Sequence, residues 1–136
     1  MKILFVCRGN VGRSQMATAI FNKLSRKHHA FSAGTHVGEK EGQQIHDYVI
    51  EAMGEFGLDL LKNKRKQLNM EMVREADKVI ILCEKREKRD FPEYLKNLRK
   101  VIYWQVEDGK GRDYEFHIKM RDQIKNLVEK LVKEIG

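Results

Sequence analysis

Only two cysteines, Cys7 and Cys83, occur in the chain. That is too few for the disulfide framework of a small secreted domain. No run approaches the ~20 apolar residues that a membrane span requires. The short apolar stretch after Met1-Lys2 does not form a signal-peptide core. The expected location is cytoplasmic, where Cys7 stays reduced. Zinc-finger spacing and interleaved aromatic and basic residues are both missing, so nucleic acid is not an expected partner. The adjacent His28-His29 pair cannot face one ion from a helix, and no metal or other cofactor is expected. There is no internal repeat, low-complexity tract or linker, and 136 residues suit a single domain spanning 1-136.

What the chain does have is charge. The formal net charge is +7, with 35% of residues charged. Basicity of this kind favours the approach of an anionic substrate.

Ile3-Leu4-Phe5-Val6 reads as a buried strand. The segment Gln15 to Lys27 reads as a helix with Met16, Ala19, Ile20, Phe21 and Leu24 along one stripe. Ala30 to Gly34 is a second strand, Gln43 to Phe56 a helix, and Leu58 to Leu68 a basic, solvated surface loop. Asn69 to Ala76 is a short helix with Asn69 at its N-cap, followed by a third strand, Asp77 to Cys83. Glu84 to Asp90 is a charge run, and Pro92 opens a short helix. Val101 to Trp104 is the fourth strand, Gln105 to Asp113 a glycine-bearing loop, and Tyr114 to Glu134 the last helix. Strands alternating with helices imply an α/β fold: a three-layer α/β/α sandwich with a four-stranded parallel sheet. Ligands bind such folds beyond the strand C-termini, where Cys7, Gly34, Cys83 and the loop after Trp104 converge. Trp104 and Tyr103 belong to the core or to a cleft wall, and His36 and His46 fall toward the same edge.

The stretch Cys7-Arg8-Gly9-Asn10-Val11-Gly12-Arg13-Ser14 joins the first strand to the first helix. Backbone N–H groups at a helix N-terminus make an oxyanion site. Helix N-termini and neighbouring cations favour the nucleophilic thiolate. Cys7 is therefore the candidate nucleophile. Arg13 offers a planar fork for two phosphoryl oxygens, Ser14 a hydroxyl for the sulfur, and Asn10 an amide to hold the loop. Arg8 lines the mouth. Gly9 and Gly12 let the loop turn tightly against a ligand, and Val11 contributes an apolar lining. A leaving oxygen needs a proton. Asp108, just beyond a strand end, is the preferred acid, with Glu107 and Asp113 as rivals.

These residues resemble the low-molecular-weight protein tyrosine phosphatases and their relatives, the thioredoxin-coupled arsenate reductases. The likeness runs from Val6-Cys7 through Ser32-Ala33-Gly34-Thr35 and Ala76-Asp77-Lys78-Val79-Ile80 to Asp108 and the last helix. It implies Cys7 as nucleophile, Arg13 as phosphate clamp, Ser14 as thiolate stabiliser, Asn10 as loop organiser and Asp108 as general acid and base. It implies a phosphomonoester hydrolase working through a cysteinyl phosphate on a phosphorylated protein or small phosphomonoester. The family usually has proline where Gly109 stands, and a tyrosine pair where Lys110-Gly111 follow. Gly12 replaces the second loop cysteine of many phosphatases. Val11 is closer to the isoleucine of tyrosine-directed members than to the threonine of phosphoarginine-directed ones. Arg13-Ser14-Gln15-Met16-Ala17 is similar to the arsenate reductase branch, and Cys83 matches its first resolving cysteine. The second resolving cysteine is missing near Asp90-Phe91-Pro92. The alternatives are an arsenate reductase using Cys7, with or without Cys83, and thioredoxin or another thiol donor, and a non-catalytic module that binds phosphate or a phosphoprotein.

Overall fold

A computed structural model describes residues 1–136. Four parallel strands form one sheet: β1 (Lys2–Cys7), β2 (His29–Gly34), β3 (Lys78–Cys83) and β4 (Val101–Gln105). Their order is β2-β1-β3-β4. The helices are α1 (Arg13–Leu24), α2 (Asp47–Gly54), α3 (Met70–Glu75) and α4 (Tyr114–Ile135).

Side chains alternate across a strand, and both faces of the central strands are buried. Ile3 and Phe5 of β1, with Ile80 and Leu82 of β3, pack under α1, α2 and α4. Leu4, Val6, Val79 and Ile81 point the other way, onto Val73, Phe91 and Leu95. This is the expected α/β/α layering, and no helix is long and apolar enough to cross a membrane.

Several boundaries differ from expectation for local reasons. Helix α2 starts late because the His46 ring accepts the Tyr48 N–H and caps it. Asn69 caps α3 as its sequence suggests, accepting from Met72 N–H. The charge run after β3 is a six-residue 3-10 turn, Lys85–Asp90, and the helix expected after Pro92 is another short one, Glu93–Leu95. Strand β4 lies at the sheet edge, with Tyr103 exposed and Trp104 packed against Phe5 rather than in a cleft wall.

The chain steps from β1 outward to β2, then back across to β3. Connections therefore diverge above the β1/β3 seam, the place where open sheets of this kind leave a crevice. Cys7 and Cys83 end those two strands.

Candidate active site

The loop Arg8 to Gly12 joins β1 to α1, and its conformation leaves donors unused. Helix α1 begins at Gly12 without a side-chain cap. None of the backbone N–H groups from Arg8 to Gln15 donates to a protein acceptor. A run of unpaired amides at a helix start is an anion-binding concavity. A cavity of about 310 Å³ opens over this loop, and Cys7, Arg13 and Asp108 all line it.

Cys7 is buried, and its Sγ lies 3.0 Å from Ser14 Oγ. Asn10 decides the direction of that contact. Its Oδ1 accepts the Lys66 backbone N–H at 2.9 Å, which orients the amide. Its Nδ2 therefore donates, to Ser14 Oγ at 2.8 Å and to Ser32 Oγ at 3.0 Å. With one lone pair of Ser14 occupied, its hydroxyl hydrogen is free to point at the sulfur. Asn10 also accepts from Gln15 Nε2, and its φ of 53° lies in the left-handed region that asparagine tolerates. Gly34 completes the cradle from β2. A Cβ there would sit 2.8 Å from both Arg8 O and Asn10 N.

Arg13 is buried and its fork is occupied. Nη1 and Nη2 donate to the two carboxylate oxygens of Glu87 at 2.8 and 3.0 Å, and Nη1 also donates to Val106 O at 3.1 Å. These bonds leave Nε and one hydrogen of Nη2 without a protein acceptor. Burial alone would lower the Arg13 pKa, but Glu87 and the neighbouring Cys7 and Asp108 raise it overall, so the guanidinium stays charged. Glu87, buried as well, is held below the usual carboxylate range: burial works against this, and the Arg13 hydrogen bonds outweigh it.

Asp108 stands 3.8 Å from Arg13 Nη2, half exposed at the pocket wall. Its N–H donates to Glu84 Oε2 at 3.0 Å, and its Oδ1 accepts the Lys110 N–H at 3.0 Å. The same short turn after β3 thus grips both Arg13, through Glu87, and the Asp108 loop, through Glu84. Glu107 pairs with Arg112, and Asp113 caps α4 by accepting from Phe116 N–H, so both rivals are engaged elsewhere. Gly109 lies against His117: a Cβ would meet His117 Nε2 at 2.6 Å. His117 Nδ1 donates to Asp113 O, which locks the ring. His117 stacks on His46 at 5.0 Å, and burial first, then His117, lowers the His46 pKa.

Arg8 lines the mouth, half exposed, and pairs with Asp90 at 3.4 Å. Gly9, Val11 and Gly12 line the cavity, as do His36 and His46. Cys83 is outside this lining, buried at the end of β3, its thiol pushed up to about 11 by burial and by Glu87. Two features were not legible in the sequence. The basic segment read as a solvated loop is a wall of the pocket: Arg65 Nε donates to Gly9 O at 3.0 Å. Glu87 sits in a run of charges with nothing local to mark it as the buried one.

The model of the low molecular weight phosphotyrosine protein phosphatases matches residues 2–136. The chain belongs to this family. Its members and their arsenate reductase homologues are cysteine-dependent enzymes. Arsenate reductase 1 of Staphylococcus epidermidis is 33% identical over 129 residues, covering 93% of this chain and 92% of that one. The low molecular weight protein tyrosine phosphatase of T. tengcongensis superposes with a TM-score of 0.83 at 30% identity, over 98% of this chain and 99% of that one. The YwlE arginine phosphatase of Geobacillus stearothermophilus gives a TM-score of 0.83 at 25% identity, over 98% and 92% of the two chains. One scaffold thus carries relatives named arsenate reductase, protein tyrosine phosphatase and arginine phosphatase. Only the pocket of this particular chain can divide them.

Proposed function

We propose that this member of the family hydrolyses phosphomonoesters through a cysteinyl phosphate. The observation that carries the reading is the convergence of Cys7 Sγ, the unpaired loop amides, Arg13 and Asp108 on one cavity. Cys7, as thiolate, attacks phosphorus. The bond to the ester oxygen breaks, and that oxygen leaves with a proton from Asp108. The Ser14 hydroxyl donates to the sulfur. Arg13 Nε and the loop N–H groups compensate the charge on the three remaining phosphoryl oxygens. Water then gives a proton to Asp108 and attacks phosphorus, the S–P bond breaks, and phosphate departs with Cys7 restored as thiolate.

Arsenate reduction is the second reading, favoured by the 33% identity to a protein of that name. Cys7 would displace water from arsenate, forming an S–As(V) bond. An external thiol would attack Sγ, leaving a mixed disulfide while two electrons pass to arsenic and release arsenite. The buried Cys83, with its thiol pushed up to about 11, is a poor internal resolving nucleophile. Such a reaction would need a thiol donor from solution. This ranks phosphate ester hydrolysis first.

The test is p-nitrophenyl phosphate turnover in wild type, Cys7→Ser and Asp108→Ala. We expect no turnover from Cys7→Ser and a loss of about 100-fold from Asp108→Ala. Full activity in both would refute the assignment.

A further inference from the structure

The cavity wall above Cys7 carries five cationic side chains and one carboxylate, Asp108. Arg13 and Arg8 have partners in Glu87 and Asp90. Lys40, Arg65 and Lys110 have no ion-pair partner at all. They come from three separate segments: the turn after β2, the loop before α3, and the loop after β4. The same wall contains no phenylalanine, tyrosine or tryptophan.

These facts discriminate between leaving groups. A phenolic ring finds only the imidazoles of His36, His46 and His117 to pack on, and no phenyl or indole plate. A guanidinium finds no carboxylate except Asp108, and three uncompensated cations repel it. A second anion finds those three charges unneutralised, in a partly enclosed site where field lines concentrate. A volume of about 310 Å³ is at the small end for ligand sites, which suits a compact molecule more than a folded protein surface.

Building on the phosphomonoester reading, we propose that the substrate is a small phosphomonoester bearing a second anionic group, which Lys40, Lys110 and Arg65 receive while Cys7 holds the phosphoryl group. An acidic phosphopeptide offers the same chemistry from another source, and the test separates the two.

The experiment compares 4-carboxyphenyl phosphate with 4-carbamoylphenyl phosphate, two esters of similar size that differ by one charge. At low ionic strength we expect kcat/KM to favour the carboxylate about tenfold in wild type, with the preference shrinking as salt is raised. In Lys40→Gln/Lys110→Gln, where both side chains are exposed and the fold is not at stake, the ratio should fall to about one or two. Equal rates for the two esters in wild type, or a ratio that survives the double substitution, would overturn the proposal and leave the hydrolase reading intact. Titration calorimetry of both esters with Cys7→Ser reads the same preference without turnover. Failure of hydrolysis with a tenfold binding preference would thus sink the reaction and not the anion selectivity. A glutamate-flanked phosphotyrosine peptide turned over faster than either ester would overturn the small-molecule assignment.

Discussion

Arg13 and Glu87, 74 residues apart, meet in a two-pronged ion pair at the base of the cavity. Their geometry occupies Nη1 and one hydrogen of Nη2, and leaves Nε and the second Nη2 hydrogen for an oxyanion. Glu87 is therefore a positioning residue for Arg13. Removing it by Glu87→Ala strands a buried cation, which costs about 3–5 kcal/mol. Urea unfolding should show a loss of that order. Glu87→Gln keeps the shape and one acceptor, so it should unfold at a milder loss while kcat/KM for p-nitrophenyl phosphate still falls about tenfold.

The same pair makes stability depend on acid. The folded Glu87 pKa lies below its ordinary 4.5. Its contribution is therefore complete above pH 4.5 and is lost as pH falls through the lower, folded value. Denaturant midpoints measured from pH 6 downward should drop more steeply in wild type than in Glu87→Gln.

Gly34 faces the loop so closely that even a methyl group has no room. Gly34→Ala would place Cβ at 2.8 Å from Arg8 O and Asn10 N. Backbone atoms cannot step aside as a side-chain tip can, so we expect about 1–3 kcal/mol of destabilisation. Activity should fall as well, because the displaced atoms belong to the anion-binding loop. Thermal melts and kcat/KM measured together check both.

Gly109 and His117 act as one unit. The ring fills the volume that a side chain at position 109 would need. Gly109→Ala alone should push the Asp108 loop outward and lower kcat by about tenfold. His117→Ala combined with Gly109→Ala should recover much of that loss. Purely additive effects in the double-mutant cycle would disprove the coupling.

Cys83 should be slow to react. Cys7 lines the cavity, whereas Cys83 lies outside it with its thiol pushed up to about 11, so iodoacetamide at neutral pH should alkylate Cys7 alone. Mass spectrometry of the intact protein reads this directly. Cys83→Ala should leave p-nitrophenyl phosphate turnover within about twofold of wild type.

The first strand, the loop and the first helix could be read from the chain because their signals are local: an apolar run, two glycines, then an apolar stripe at helical spacing. The parallel sheet followed from strands alternating with helices. Arg65 and Glu87 were hidden because each lies in a stretch of charged residues where one buried member looks like its exposed neighbours. Their partners, Gly9 and Arg13, are 56 and 74 positions away, so no periodicity or cap marks them. The short turn after β3 escaped for the same reason, since gripping both Arg13 and the Asp108 loop is a property of three-dimensional placement.

Asn10 receives the Lys66 N–H across 56 positions, and Gly9 O receives Arg65 from the same distant segment. A growing polypeptide that has left the ribosome only as far as α1 already contains every residue of the loop from Cys7 to Ser14, yet it lacks both of these groups. Its thiol emerges before its socket exists. The reactive geometry is thus withheld until the middle of the protein has been made and has docked.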